Sequence, residues 1–354
     1  MAAAPSGSSR CLSVMEITEL TTETVEWDAF VRTSDEGTPF HLIAWKRAVE
    51  ETFDFPAHYL IARQGHRIDG VLPLFEVRGL LGGKALVSVP YAVYGGICAT
   101  SSAARWALAG KAEALAQSRR VAYVELRQRR EQGLGLPTKA LYVSFARQIS
   151  SNDAENAAAI PRKQRRMTRL GATYGLRAEI GRDHFDDFYQ IYAHSLRHLG
   201  SPVLPRKFLR RILDAFDKDC QILTVWRDDR IVAGVITLYY EDQVLPYYGG
   251  ALREAFRYAV NDFMYWELMR HAAAAGYRIF DFGRSREGTG SYDFKRHWGF
   301  EPVALPYQYV LLRNGSPPNL SPSNPHFRLA TRVWKRLPFA VTKALGPRVT
   351  RYLP

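Results

Sequence analysis

The stretch from Phe280 to Phe300 is FDFGRSREGTGSYDFKRHWGF, and the interpretation of the whole chain starts from it. Its first residues continue from Tyr277 a pattern in which large apolar residues alternate with polar ones, which predicts a strand. Gly283, Gly288 and Gly290 then interrupt the pattern, and glycines allow sharp turns and a close approach of the backbone to a ligand. The residues between and after them are mostly hydrogen-bond donors: Arg284, Ser285, Arg286, Thr289 and Ser291. The run is typical of an anion or acyl-donor site at a strand end, or of an ordinary basic surface loop.

Length, composition and charge indicate what kind of protein the chain is and what kind of partner it binds. The chain has 354 residues, which suits two domains, and it is 47% hydrophobic and 23% charged, as expected of chains that build packed cores. The net charge is +13. Such a balance favours an anionic partner, whether nucleic acid, a phosphorylated or nucleotide-linked substrate, or an anionic membrane face.

Cysteine usage and the N-terminal sequence indicate the compartment. Cys11, Cys98 and Cys220 are odd in number and far apart, which fits neither a disulfide framework nor a metal site and favours a reducing cytoplasm. Residues 1–11 are expected to be disordered, and they lack the apolar run of a secretory signal. No apolar stretch is long enough for a transmembrane helix.

An internal repeat predicts the architecture. Residues 12–150 and 176–312 both follow the order strand, two helices, hairpin, strand with Gly-Gly, helix, strand. The segment Tyr91–Gly96 (YAVYGG) in the first half corresponds to Pro246–Gly250 (PYYGG) in the second. The sequence therefore predicts two similar α/β (α+β) domains. In the first hairpin, Pro73 favours an edge position for its strand.

Residues 151–175 predict one long basic helix between the two halves, with a turn or kink at Pro161. Its centre carries five cations and no acid, namely Arg162, Lys163, Arg165, Arg166 and Arg169. Two interpretations remain open, a solvated linker helix and a helix that faces phosphate groups.

Residues 313–354 form a tail with a proline-rich linker followed by a basic amphipathic segment. From Pro302 onward the chain has no Asp or Glu, and the tail has eight cations. Such a segment can lie on an anionic bilayer surface or pack on its own protein with the cations outward. Pro338 and Pro347, which divide it into short pieces, weaken the membrane interpretation.

The repeat and the run at 281–302 resemble a known family. The chain is similar to the FemAB-related proteins associated with exosortase/PEP-CTERM gene clusters, which belong to the GNAT-fold acyltransferase superfamily and carry a BioF-like acetyltransferase domain. Further similarity lies in Thr38-Pro39-Phe40-His41 with Trp45, in Pro161–Arg166, and in the tail at Asn324-Pro325 and Trp334–Pro338.

The resemblance implies two tandem GNAT-like domains with a cleft between them. In the better understood Fem transferases, an amino acid passes from aminoacyl-tRNA to an amine on a nucleotide-linked or lipid-linked peptidoglycan precursor. Those enzymes carry a Phe-Lys pair, and Phe294-Lys295 matches it here. The resemblance thus makes Lys295 the first catalytic candidate, as an ammonium that holds a donor phosphate or stabilises the oxyanion.

Amide formation from an activated ester needs orientation, oxyanion stabilisation and removal of a proton, and it needs neither a metal nor a covalent intermediate. Arg284 is the second catalytic candidate, and Asp293 is a candidate proton acceptor or a helix-capping carboxylate. His41 and His297 are further candidate bases or structural residues. Tyr292 and Trp298 suit either stacking on a ligand or core packing. The remaining candidates for donor or substrate binding are Ser285, Arg286, Gly288, Thr289, Gly290, Tyr248, Asn261, Arg162, Lys163 and Arg166, with Tyr247 beside Tyr248.

The donor is expected to be a co-substrate, aminoacyl-tRNA or acyl-CoA, with no tightly bound cofactor. Residues 251–261 lack the glycines with which GNAT enzymes bind the pyrophosphate of coenzyme A, which argues against ordinary acetyl-CoA. Two functions follow. The first is a cytoplasmic acyl- or aminoacyl-transferase that acts on an envelope or exopolysaccharide precursor at the inner membrane face. The second is a non-catalytic adaptor that binds tRNA or the membrane surface.

Overall fold

The structure is a computed structural model that describes residues 15–79, 83–312 and 325–354. Within these ranges, thirteen strands form one mixed sheet. They are β1 (Met15–Glu19), β2 (Ala57–Gln64), β3 (Arg67–Arg78), β4 (Lys84–Val87), β5 (Cys98–Ala99), β6 (Tyr123–Leu126), β7 (Thr138–Gln148), β8 (Leu176–Gly181), β9 (Cys220–Arg227), β10 (Arg230–Tyr240), β11 (Gln243–Ala251), β12 (Ile279–Ser285) and β13 (Val303–Leu311).

Eleven α-helices cover the sheet in the described ranges. They are α1 (Thr24–Thr33), α2 (Ile43–Phe53), α3 (Ser102–Ser118), α4 (Asp153–Ala158), α5 (Arg162–Thr173), α6 (Phe185–Leu199), α7 (Arg206–Phe216), α8 (Val260–Ala274), α9 (Gly290–His297), α10 (Pro325–Arg336) and α11 (Phe339–Thr350). Short 3₁₀ turns lie at Pro39–His41, Asp217–Asp219 and Arg253–Tyr258. The expected disorder of residues 1–11 and the proline-rich linker up to residue 324 lie outside the described residues.

The two halves exchange a strand. The sheet order is β1-β2-β3-β4-β6-β13-β7-β12-β11-β10-β9-β8, with β5 beside β3. The last strand of the second half, β13, thus lies between β6 and β7 of the first half. In turn, β7 of the first half lies between β13 and β12 of the second half. All of these strand pairs are antiparallel. The repeat predicted from the sequence is present, but its two copies share one sheet.

Three of the four hydrophobic clusters in the described residues fill the space between the sheet and its helices. The largest is shared by both halves and buries α1, α2, α6 and α7 on one face of the sheet. On the other face, α3 covers the first half, and α8 and α9 cover the second. Trp45 of α2 packs edge-on against Phe208 of α7, so the shared layer joins the two halves.

One expectation about the first hairpin is wrong. Pro73 does not lie on an edge strand, since β3 pairs with β2 on one side and with β5 and β4 on the other. On this second side the pairing covers Gly70–Val71 and then Phe75–Arg78. Pro73 lies between these two stretches, where an interior strand tolerates a residue without an N–H group.

The stretch over 151–175 is divided at Pro161, where a turn or kink was expected. Pro161 forms the N-cap of α5 in an extended conformation, so α4 and α5 are separate helices and not one long helix. The glycine-rich run contains a helix, α9, of which the only expectation was the interpretation of Asp293 as a helix-capping carboxylate; its N-cap is Thr289. The strand β13 was not predicted.

The tail packs on the body of the protein. The Arg197 Nε of α6 donates to the Leu337 carbonyl oxygen at 2.7 Å, and the Tyr91 hydroxyl donates to the Thr350 carbonyl oxygen at 3.1 Å. The ring of Phe339 stacks on His194 with a centroid distance of 3.6 Å.

Arg127 links the first half of the sheet to the loop that follows β4 and to the tail. Its Nε donates to Glu125 at 2.8 Å, and Nη1 donates to the carbonyl oxygens of Val89 and Ala92 at 2.8 and 2.9 Å. Its Nη2 donates to the Pro354 carbonyl oxygen at 2.9 Å. Both ionised side chains of the Arg127–Glu125 pair are buried.

We expect Arg127→Met to lower the free energy of unfolding by about 3–5 kcal/mol, because it leaves the Glu125 carboxylate buried without its counter-charge. Urea denaturation followed by circular dichroism measures the change. The double variant Arg127→Met/Glu125→Gln should recover part of the loss, since the glutamine is neutral and still accepts from Tyr309. A double variant as unstable as the single one would contradict this account.

Candidate functional site

The candidate site lies where β11 and β12 separate. The two strands are parallel, and their pairing covers only Gln243–Val244 against Ile279–Phe280. Beyond this point β12 remains paired only with β7 on its other edge, and β11 remains paired with β10. An opening between parallel strands of a sheet is a common place for a ligand to bind.

The Tyr91–Gly96 loop of the first half contacts both sides of this opening. The hydroxyls of Tyr247 and Tyr248 on β11 each donate to the Tyr91 carbonyl oxygen at 3.2 Å. On the other side, the Tyr94 hydroxyl donates to Asp281 Oδ1 of β12 at 3.3 Å. The loop therefore connects the first half directly to the candidate site in the second.

Asp281 fixes a bulge in β12. The register of β12 with β7 shifts between Asp281 and Arg284. Asp281 Oδ1 accepts the Gly283 N–H at 2.7 Å, and Gly283 has a φ of 67°, a conformation that glycine adopts without strain. Arg129 lies 3.9 Å from the other carboxylate oxygen. The fully buried position of this carboxyl raises the pKa of Asp281, an effect that Arg129 opposes.

The bulge directs two carbonyl groups at Lys295. The Lys295 Nζ donates to the carbonyl oxygens of Gly283 at 3.1 Å and Arg284 at 3.0 Å. The side chain is 8% exposed, and its ammonium lies 5.6 Å from the centroid of the Phe145 ring.

The local sequence explains how α9 presents this lysine. Thr289 is the N-cap of α9, where its Oγ1 accepts the Tyr292 N–H at 3.4 Å. Gly288, with a φ of 73°, allows the chain to turn into the helix. Tyr292 and Lys295 are three residues apart and therefore share the buried face of the helix.

Burial lowers the pKa of Lys295 to about 7, although the Asp281 carboxylate opposes the shift. Near neutral pH, the ammonium and the neutral amine are therefore both populated. Two of its hydrogens bind the backbone carbonyls in either form. The remaining position on the nitrogen is an N–H donor in the ammonium and a lone pair in the amine.

Arg284 lies beside this group on the other side of the bulge. Its Nη1 donates to the Tyr307 hydroxyl at 3.1 Å, and the guanidinium carbon lies 4.4 Å from the centroid of the Tyr142 ring. The Tyr307 hydroxyl donates in turn to the Val93 carbonyl oxygen at 2.6 Å. Arg284 is half-buried, so a charged donor borders the opening.

The other residues predicted from the run 281–302 lie at different depths. Ser285 is buried, and its Oγ has no hydrogen-bond partner in the described part of the chain. Arg286 is half-buried, Gly288 and Gly290 are exposed at the start of α9, and Asp293 is exposed in its first turn. A carboxylate there is favourable to the helix dipole, and this position separates Asp293 from the buried Lys295.

The aromatic residues of the run pack in the core of the second half. Trp298 is fully buried, and Tyr292 packs edge-on against Phe145. Phe294 is half-buried and packs against Phe282 and Trp298.

The start of α8 is occupied by a carboxylate of the protein itself. Asp262 Oδ1 accepts the Trp298 Nε1–H at 2.9 Å, and the carboxylate also binds its own N–H and the Gln164 side chain. Burial raises the pKa of Asp262. A helix N-terminus that already holds a carboxylate is a poor place for the pyrophosphate of coenzyme A. Asn261, beside Asp262, is half-buried.

The basic residues of α5 lie on the surface near these elements. Arg162, Lys163 and Arg166 are exposed. Pro161 lies against Gly299, just after α9, and Gly171 lies against Phe263 of α8. The structure thus places α5 against the second half, through contacts with the residue that follows α9 and with α8.

The two histidine candidates are not at the site. His41 is buried between the Thr38 hydroxyl at 2.8 Å and the Gly96 carbonyl oxygen at 3.0 Å, and burial lowers its pKa to about 4. It is therefore a neutral structural residue at pH 7. His297 is exposed at the end of α9. Among the residues that the structure describes, no cluster of His, Cys, Asp or Glu could hold a metal ion.

Sequence reasoning missed Asp281, Tyr94, Arg129, Tyr142 and Tyr307 as site residues. The only signal for one of them was the Gly-Gly repeat, which follows Tyr94 directly. A narrow slot of about 10 Å³, large enough for roughly one water molecule, lies beside Tyr94 and Arg129. Two wider grooves of about 590 and 570 Å³ lie elsewhere on the second half, and neither is lined by Lys295 or Arg284.

Lys295 gives a prediction for stability as a function of pH. Between pH 7 and pH 9 the unfolded chain carries a proton on this lysine that the folded chain mostly lacks, so the free energy of unfolding rises with pH. Relative to Lys295→Met, we expect the wild-type protein to gain about 2–3 kcal/mol over this range. Denaturation with urea at both pH values measures the difference. A constant difference, or one that shrinks with pH, would show that the amine is not desolvated.

Comparison with known proteins gives one family match. The family model of the acetyltransferase (GNAT) domain matches residues 154–296, a range that begins in α4 and includes Lys295. No curated protein matches the chain. In the part of the chain that the structure describes, no helix is long and apolar enough to cross a membrane.

Several solved structures share the architecture. The crystal structure of FemX aligns with a TM-score of 0.66 and 16% identity, over 83% of this chain and 97% of that one. L-PGS from Bacillus licheniformis aligns with a TM-score of 0.57 and 14% identity, over 88% and 97%. A tandem GNAT protein from the clavulanic acid biosynthesis pathway aligns with a TM-score of 0.54 and 11% identity, over 86% and 100%. At these identities the likeness establishes the fold, and the chain therefore has the mixed α/β fold of tandem GNAT proteins.

Proposed function

We propose that this protein is a FemAB-type acyl- or aminoacyl-transferase that forms an amide or ester on a cell-envelope precursor of the peptidoglycan or exopolysaccharide type. One observation carries the proposal. The Lys295 amine is held by two backbone carbonyls at the opening between β11 and β12, in the domain that matches the GNAT acetyltransferase model. That match and the fold shared with FemX and with L-PGS, a lysylphosphatidylglycerol synthetase, support it.

The proposed reaction is attack of an acceptor amine on the carbonyl carbon of an activated ester. The new C–N bond forms a tetrahedral intermediate whose oxygen is negatively charged. The C–O bond of an aminoacyl-tRNA ester, or the C–S bond of an acyl-CoA thioester, then breaks, and the proton lost by the amine passes to the departing oxygen or sulfur. A hydroxyl acceptor would follow the same steps and yield an ester.

Lys295 in its ammonium form supplies the group that this intermediate requires. Two N–H bonds are used by the Gly283 and Arg284 carbonyls, which fix the direction of the third. An oriented cationic donor in a buried site stabilises an oxyanion strongly because little reorganisation is needed. Arg284 adds a second positive charge at the half-buried edge of the site.

The donor is aminoacyl-tRNA or an acyl-CoA, and two features favour the tRNA. The Asp262 carboxylate occupies the helix N-terminus at which a coenzyme A pyrophosphate would bind. The exposed Arg162, Lys163 and Arg166 offer positive charge to a nucleic acid backbone. On this proposal the protein works in the cytoplasm, with its envelope precursor at the inner face of the membrane.

The decisive experiment incubates the purified protein with a mixture of aminoacyl-tRNAs or with acyl-CoAs, together with an extract of nucleotide-linked and lipid-linked precursors. Mass spectrometry then detects acyl transfer and donor hydrolysis. Turnover of aminoacyl-tRNA is the expected result, and turnover of acyl-CoA would change the donor. Saturable tRNA binding without turnover of either donor would support the adaptor function instead.

The first variant to test is Lys295→Met, which removes the amine and keeps most of the side-chain volume. We expect transfer to fall by about 10²–10³-fold, as for loss of one oxyanion donor. Lys111→Met, at an exposed position of α3, is the matched control and should keep full activity. Full activity in Lys295→Met, with a folded protein by circular dichroism, would refute the proposed role.

Asp281→Asn tests the charge state of Lys295. Since the Asp281 carboxylate raises the pKa of the lysine, its removal should lower that pKa further. If the ammonium is the active form, activity falls as pH rises through about 7 in the wild type, and at lower pH in the variant. The asparagine Oδ1 can still accept the Gly283 N–H. An unchanged or upward-shifted descending limb of the pH–rate profile would contradict the assignment.

A further inference from the structure

The helices of the tail dock on the protein through small residues. Thr342, Gly346 and Thr350 are the buried positions of α11, and their spacing of four places them on one face. A Cβ atom at Gly346 would lie only 2.8 Å from the Val203 side chain and 2.9 Å from the Val203 backbone nitrogen. The small residues therefore allow α11 to lie very close to the body.

Two pairs of apolar residues on these helices face solvent, whereas Leu337 and Phe339 at their junction are half-buried against the body. On α11, Val341 and Leu345 are 37% and 40% exposed. On α10, Leu329 and Val333 are 59% and 51% exposed. Each pair is spaced by four residues and therefore lies on one helix face. A surface helix of a soluble protein normally buries such a stripe, whereas these two pairs are left exposed to solvent.

Cations accompany the exposed apolar residues. Arg332 and Arg336 on α10, and Arg348 and Arg351 at the end of α11, are all exposed. The chain has no acidic residue after Glu301, so the tail carries no negative side chain of its own. An identical second copy of this face would be repelled by its charge, which argues against a symmetric dimer through it.

The tail is held in one place relative to the candidate site. Arg197 and His194 of α6 contact Leu337 and Phe339 at the junction of α10 and α11. At the other end, the Tyr91 hydroxyl binds the Thr350 carbonyl oxygen, and the Tyr91 carbonyl accepts from Tyr247 and Tyr248 at the opening between β11 and β12. The helices are thus connected to the site through Tyr91, and Arg127 adds a second link from the Pro354 carbonyl oxygen to the Ala92 carbonyl oxygen of the same loop.

We propose that α10 and α11 form a docking surface for an anionic phospholipid bilayer. Exposed Leu and Val side chains enter the boundary between headgroups and acyl chains, while the arginines bind lipid phosphates. A soluble polyanion would explain the arginines but gives the four apolar side chains no partner. This surface is independent of the chemistry proposed for Lys295.

The test is co-sedimentation of the full chain with vesicles of phosphatidylglycerol and phosphatidylcholine in equal parts, compared with pure phosphatidylcholine vesicles. We expect binding to the anionic vesicles only. The pairs Leu329→Gln/Val333→Gln and Val341→Gln/Leu345→Gln should each weaken it by about tenfold or more, because each removes buried apolar surface. Arg332→Gln/Arg336→Gln should also weaken it, by roughly 10–30-fold at about 1 kcal/mol per cation.

Val25→Gln is the matched control, since Val25 on α1 is 81% exposed and distant in sequence from the tail. It should bind like the wild type. Binding that depends on the arginines but not on either apolar pair would overturn the proposal in favour of simple attraction to polyanions. Loss of a dimer, measured by sedimentation velocity, in the same apolar variants would overturn it in favour of self-association. All variants change exposed side chains, and circular dichroism confirms their folding.

Discussion

The exchange of β7 and β13 between the two halves is the constraint on which the rest of the structure depends. Because β13 pairs with β6 and β7, and β7 pairs with β12, neither half completes its sheet from its own part of the chain. The exchange gives β12 a strand of the first half on one edge, while β11 pairs with its other edge only at Ile279–Phe280. The candidate site lies where this second pairing ends, and the Tyr91–Gly96 loop is the segment of the first half that contacts both sides of the opening.

The arrangement of the candidate site depends on one carboxylate in this opening. Asp281 binds the Gly283 N–H on its own strand and receives the Tyr94 hydroxyl from the first half. The bulge held in this way presents two carbonyls to Lys295, and its buried amine donates to both of them. Burial of that amine, with its lowered pKa, is a cost to stability at neutral pH, which is common at sites selected for function.

The order of strands and helices could be predicted because hydrophobic periodicity and turn residues are local signals. The prediction failed where the determining contacts are distant in sequence. Pro73 is tolerated on an interior strand because two partner strands pair on either side of it, and no local pattern shows this. β13 was missed, and its partners lie more than 150 residues away in the chain. In the site, Lys295 was found through a motif, whereas Asp281 and Tyr94 meet across 187 positions and gave no comparable signal. The glycines around α9 are typical of a loop, so the helix that begins after the Thr289 cap was not predicted.

The strand exchange also affects how the chain can fold during synthesis. The first half lacks its neighbour for β6 until Val303–Leu311 has left the ribosome, which happens after most of the chain has been made. Up to that moment β6 and β7 present unpaired edges, and such edges promote wrong pairing and aggregation. Contacts between distant segments also slow folding. The molecule is therefore expected to mature late, as one cooperative unit, and a fragment that ends before β13 should be recovered mainly as aggregate.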